Sequence, residues 1–107
     1  MTDQQSRAHI ERFNAGVTTG DWIPFLAGFT PDAVMTFEGP PVGPFHGRDA
    51  IAEGYAAVPP DDTMEITSVR SDGDTDRVTF RWSRGGTGTM TIRRRGELIS
   101  ELVVAFD

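Results

Sequence analysis

Between Met64 and Phe106, four strand-like runs (64–70, 77–84, 87–95 and 97–106) are separated by three glycine-centred turn signals. These are Asp72-Gly73-Asp74, Gly85-Gly86 and Arg95-Gly96-Glu97. Turns this short join antiparallel neighbours, because the glycine supplies the positive φ that a tight hairpin needs. The second half of the chain is therefore expected to fold as an antiparallel meander.

The first half has a different period. From Ser6 to Val17, Ile10, Phe13 and Val17 fall on one helical stripe, and Gly20 ends it. Asp21 reads as the N-cap of a short second helix with Trp22, Phe25, Leu26 and Phe29 at i, i+3, i+4 and i+7. Ala33 to Glu38 reads as a strand, Gly39 to Pro44 as a loop, and Arg48 to Val58 as a third helix closed by Pro59-Pro60. Helices first and a meander last define an α+β fold. The expected architecture is a cone, a curved antiparallel sheet packed on three N-terminal helices, with one domain over residues 1–107. A conical pocket should open between sheet and helices.

Composition limits what such a pocket can do. There is no cysteine, and all ten basic residues are arginine. Thiolate nucleophiles, thiolate zinc sites, disulfides, lysine Schiff bases and the P-loop lysine are thereby removed. Proton chemistry rests on sixteen carboxylates, His9, His46 and Tyr55. A net charge of −6 argues against nucleic-acid binding, which needs a basic face. The longest apolar run, Leu102 to Phe106, is far short of the roughly 20 residues that span a bilayer. The polar start, with no apolar h-region, makes a cytoplasmic protein the expectation.

The helix, Gly-Asp, helix order, then Thr30-Pro-Asp-Ala-Val and His46-Gly-Arg-Asp-Ala-Ile, resembles the nuclear transport factor 2-like superfamily. That group includes SnoaL-like polyketide cyclases, ketosteroid isomerases and limonene epoxide hydrolases. The resemblance covers nearly the whole chain and implies the cystatin-like cone; the fold itself hosts both enzymes and non-catalytic domains. The isomerase branch carries a general-base carboxylate near the end of the first strand, where Glu38 falls allowing a one-residue length difference. Its two oxyanion donors are replaced here, by Phe13 on the first helix and by Gly88 or Thr89 on a late strand. The epoxide-hydrolase pattern is met only at Arg81, since Ser83 and Val104 stand where aspartates are needed. The SnoaL-like branch is the one these residues contradict least.

Each candidate has a functional and a structural reading. Alternation puts Val34, Thr36 and Glu38 on one face of the first strand and Met35 and Phe37 on the other. Glu38 is expected as a general acid/base at the rim or floor of the cone, against a solvated strand-end glutamate. Tyr55, on the third helix's apolar stripe, is either a hydrogen-bond donor to ligand or a core tyrosine bonded to a backbone carbonyl. His46 is a ligand contact or a turn residue; His9, four before Phe13, points inward or sits exposed on the first helix, and exposure is expected. Phe13, Trp22, Phe25, Phe80 and Trp82 are expected to line the pocket, with plain core packing as the alternative for each.

Asp72-Gly-Asp-Thr-Asp76 lacks the glycine and glutamate of a calcium loop, having Arg77 and Ser83 there, and reads as a polar hairpin turn. No metal-ligand spacing exists, and no metal or cofactor is expected. Of Arg93-Arg94-Arg95, alternation sends 93 and 95 to one face and 94 to the other, as a solvated strand end that could pair with Glu97. The expected function is binding of a small, largely apolar carbonyl compound, with Glu38 as acid/base and Tyr55 or His46 as the polarising donor in a cofactor-independent isomerase or cyclase reaction. The alternative is a non-catalytic ligand-binding or dimerisation module. A homodimer through the exposed sheet face is expected, with no nucleic-acid or membrane partner.

Overall fold

The computed structural model describes residues 2–39 and 43–107; residues 40–42, inside the expected Gly-Pro loop, lie outside the described residues. Helix α1 runs Thr2–Thr19, longer than the stripe suggested at both ends. Its buried positions are Ser6, His9, Ile10, Phe13 and Gly16, spaced i, i+3, i+4, i+7 and i+10. His9 is thus only 1% exposed, against the expectation of exposure. The helical period that buries Ile10 and Phe13 also buries the polar residues on the same stripe.

Helix α2 is a single turn, Ile23–Leu26, with the Asp21 carboxylate accepting the Ile23 N–H at 3.1 Å. Trp22 and Phe29, expected within it, lie outside. Gly28 O accepts the Ile99 N–H at 2.8 Å, and Phe29 pairs with Ile99, so this segment is drawn into the sheet before a second turn can form. Strand β1 therefore spans Phe29–Glu38. Next come β2 (Phe45–His46), α3 (Arg48–Ala57), β3 (Met64–Asp72), β4 (Thr75–Trp82), β5 (Thr87–Arg95) and β6 (Leu98–Phe106). The expected loop thus ends in a short strand, and His46 belongs to it.

The sheet order is β2-β1-β6-β5-β4-β3. All neighbours are antiparallel except β1 and β6, which run parallel. Helix plus meander is thereby joined by one non-local pairing that the turn signals did not contain. Register aligns Met35 with Leu102, Leu102 with Ile92, and Ile92 with Asp76 across the concave face. The next inward row is Phe37, Val104, Met90 and Val78. Gly88 permits a close approach within the curved sheet: a Cβ there would lie 2.6 Å from both Ala105 O and Phe80 Cζ.

Two polar clamps hold α1 across this concave face. Near its start, Ser6 Oγ donates to Asp76 Oδ2 at 2.6 Å, and Arg94 Nη2 donates to Asp76 Oδ1 at 3.0 Å. Arg94 also donates to Gln5 Oε1 on α1 at 2.8 Å. Asp76 is fully buried and the Arg94 side chain 8% exposed. Asp76 is therefore a buried member of β4 and not part of a solvated turn. Of the arginine cluster, only Arg94 points inward; Arg93 lies 3.5 Å from Glu101, and Arg95 pairs with Asp32 at 3.2 Å instead of with Glu97. Further along α1, Asn14 Nδ2 donates to Met64 O and Asn14 Oδ1 accepts the Met64 N–H, both at 2.9 Å.

Removing one partner of a buried ion pair leaves an uncompensated charge in a low dielectric, whereas replacing both by apolar groups is tolerated far better. Arg94→Leu should destabilise the fold by about 3–5 kcal/mol in urea unfolding, and Arg94→Leu with Asp76→Leu should recover most of that loss.

Candidate functional site

A cavity of about 560 Å³ lies between α1, α3 and the concave sheet face. Its buried end is formed by His9, Phe13, Phe25, Tyr55, Leu102 and Met90, its mouth by Val58, Pro60, Asp61 and Phe106. The elements explain the lining. Helix α1 contributes one stripe, the β6 residues Leu102, Val104 and Phe106 alternate inward, and α3 presents Tyr55 one turn after Ile51.

Aromatic rings make most of the wall. Phe25 stacks on Tyr55 at 5.2 Å between centroids and meets His9 at 5.0 Å. At the open end Phe106 lies near-parallel to Phe37 and to Trp82, at 6.3 and 6.2 Å. Such pairs add to the burial they provide and hold the wall rigid. Val58 and Phe106 stay exposed although large and apolar, which marks the rim as a surface suited to contact with an apolar molecule.

Polar groups on this wall are few. Tyr55 Oη donates to Met35 Sδ at 3.6 Å, a weak acceptor, and burial pushes the phenol's pKa up, so it stays protonated. His9 is held down at about 3, chiefly by burial and secondly by the charge of Arg12, so the ring is neutral at pH 7. Its buried Nδ1 has no hydrogen-bond partner among the described residues. At the mouth, Asp61 pairs with Arg84 at 3.2 Å and Asp62 accepts the Arg84 N–H at 3.1 Å.

Of the residues singled out from sequence, Phe13, Phe25, Tyr55 and Trp82 come together on this cavity. Trp22 and Phe80 support it from behind: Trp22 packs edge-on against Tyr55 at 5.0 Å, and Phe80 against Trp82 at 5.3 Å. His46 is exposed on β2 and does not border the cavity. Glu38 is exposed and does not line it either. It pairs with Ala105, on the face it shares with Thr36 and Val103, whereas Phe37 and Val104 face inward. The polar wall residue that sequence reasoning missed is His9. The available signal was its position three residues before Arg12 and four before Phe13, on the inward side of α1.

A SnoaL-like domain model matches residues 10–104, and the chain belongs to that family. Among solved structures, it is similar to a SnoaL-like protein of unknown function from Burkholderia thailandensis, with 18% identity, 98% of this chain and 92% of that one covered, and a TM-score of 0.78. An NTF2-like protein from Anabaena variabilis shares 25% identity over 97% of this chain and 87% of its own, with a TM-score of 0.75. A candidate ketosteroid isomerase from Kribbella flavida shares 18% identity over 97% and 78%, also with a TM-score of 0.75. A comparison with curated proteins finds no match. The α+β cone is thus the NTF2-like fold, and no helix among the described residues is long and apolar enough to cross a membrane.

The state of His9 has a measurable consequence. Unfolded, the imidazole takes up a proton near its ordinary value of 6.5; folded, it does so only near 3. As pH falls from 7 to 5, protons bind the unfolded chain and not the folded one, so stability is lost over that window. Urea unfolding should show wild type losing about 2 kcal/mol more between pH 7 and pH 5 than His9→Phe loses.

Proposed function

We propose that this chain binds a small, uncharged and largely apolar molecule in the cavity between α1, α3 and the sheet. The observation that carries this reading is the wall itself: aromatic and aliphatic side chains over a volume of about 560 Å³, with His9 and Tyr55 as the buried polar groups. A charged ligand would lose its hydration at the buried end and meet no ionised side chain on the wall there to pair with. An apolar one gains from every wall residue it covers.

The reading adopted is the binding module and not the proton-transfer enzyme. An isomerase or cyclase of the kind expected needs a carboxylate reaching the ligand, and Glu38 leaves β1 on the outer face with Thr36. His9, held near 3, is too weak a base to take its place at neutral pH. The Kribbella flavida relative, described as a candidate ketosteroid isomerase, supports the kind of ligand and not the reaction.

N-phenyl-1-naphthylamine, a neutral probe that brightens in apolar surroundings, should bind wild type with one-to-one stoichiometry. Leu102→Trp, which fills the cavity, should weaken it at least 10-fold, while Glu38→Gln should leave its affinity within about 2-fold. Absence of binding to wild type would overturn the reading, and loss of binding in Glu38→Gln would restore the carboxylate to the site.

A homodimer through the outer sheet face belongs to the same proposal. Thr36, Val103 and Thr91 form one row there and Ala105 and Thr89 the next, all half-buried short side chains that a flat partner surface could cover. Sedimentation equilibrium should give a dimer, and Val103→Arg should give a folded monomer.

A further inference from the structure

His9 is the buried titratable group that an apolar cavity alone leaves without a task. Its ring borders the cavity at the buried end, tilted against Phe25 at 5.0 Å and edge-on to Phe29 at 5.6 Å. A neutral imidazole carries one N–H and one bare nitrogen, and the environment of each nitrogen decides which is which. Nδ1 is sealed from solvent with no partner among the described residues. A proton placed there would strand a buried N–H among aromatic rings, which is the rarer and costlier orphan; a stranded lone pair costs less. The proton therefore belongs on Nε2, the nitrogen that is not sealed in this way, and His9 brings that donor to the cavity it borders.

The rest of the wall determines what that donor is for. Tyr55 gives its hydroxyl hydrogen to the Met35 sulfur, and the side chains of Phe13, Phe25, Leu102 and Met90 carry no hydrogen-bond donor. The charge of Arg12 acts on His9 from the α1 side, favouring the oxygen end of a dipole at the buried end. The carboxylates of Asp61 and Asp62 stand at the mouth and oppose entry of an anion. On the reading given under Proposed function, we propose that His9, as its Nε2–H tautomer, selects ligands that carry a neutral acceptor oxygen, a ketone carbonyl above all, at the end that enters first.

Matched probes isolate this contact. 2-Decalone and decalin share a skeleton and differ by the carbonyl, and both can be scored by displacement of N-phenyl-1-naphthylamine. Wild type should bind the ketone roughly 3- to 10-fold more tightly than the hydrocarbon, the worth of one neutral hydrogen bond. In His9→Phe that ratio should fall to about 1, whatever the absolute affinities. Independently of any ligand, two-bond ¹H–¹⁵N spectra of the free wild-type protein at pH 7 should show His9 with its proton on Nε2. An Nδ1–H pattern, a doubly protonated ring, equal affinities in wild type, or a ratio that survives in His9→Phe would each overturn the assignment while leaving the cavity a binding site. If neither compound nor the fluorescent probe binds, the ligand-site reading fails and the assignment falls with it.

Discussion

Helix α1 lies on the concave sheet because it is held at two points by polar groups that have nowhere else to go. Asp76 projects inward from β4 and is buried beneath the helix, so it requires Arg94 and Ser6 together. Asn14 gives β3 the donor and acceptor that an edge strand otherwise offers to solvent. Apolar contacts alone would let a helix slide or roll on a smooth surface; these bonds fix both its position and its rotation. With the rotation fixed, Ser6, His9, Ile10 and Phe13 must face the sheet, and the character of the cavity's buried end follows.

The clamp also separates the two tasks of the concave face. Toward the β5–β6 turn it is polar and paired. Toward the ends of β1, β6 and β4 the same face carries Phe37, Phe106 and Trp82 and stays open. The wall is therefore supported by an interior that has no freedom to collapse into it, which keeps an apolar space of this size from being filled by its own side chains.

Much of this was legible in the sequence where the determinants are local. The three glycine turns specify the hairpins, and the stripe of Ile10 and Phe13 specifies α1, because each depends on residues a few positions apart. What failed depended on distant partners. Asp76 looks like a turn aspartate until Arg94, eighteen residues on, and Ser6, seventy residues back, are brought to it. Phe29 completes an apparent helical period, yet pairing with Ile99 takes it into β1. Alternation correctly divided Glu38 from Phe37 but gave no sign of which face was concave; only pairing with β6 settled that Phe37 faces in. The position of His9 four residues before Phe13 allows it to face inward, but the polarity of an imidazole favours exposure, and only the seating of α1 on the sheet decides for burial.

The parallel pairing of β1 with β6 sets the order in which the molecule can be completed. Met35 and Leu102 are neighbours in the sheet but are separated by more than half of the sequence. The hairpins from β3 to β6 can form from nearby residues, whereas β1 and β2 can dock only after a loop of more than half the chain has closed. During synthesis the inward aromatic residues of β1, α2 and α3 must therefore wait, uncovered, for the last strand to emerge. The wall that suits the finished protein to an apolar ligand is, until that moment, the surface most open to aggregation.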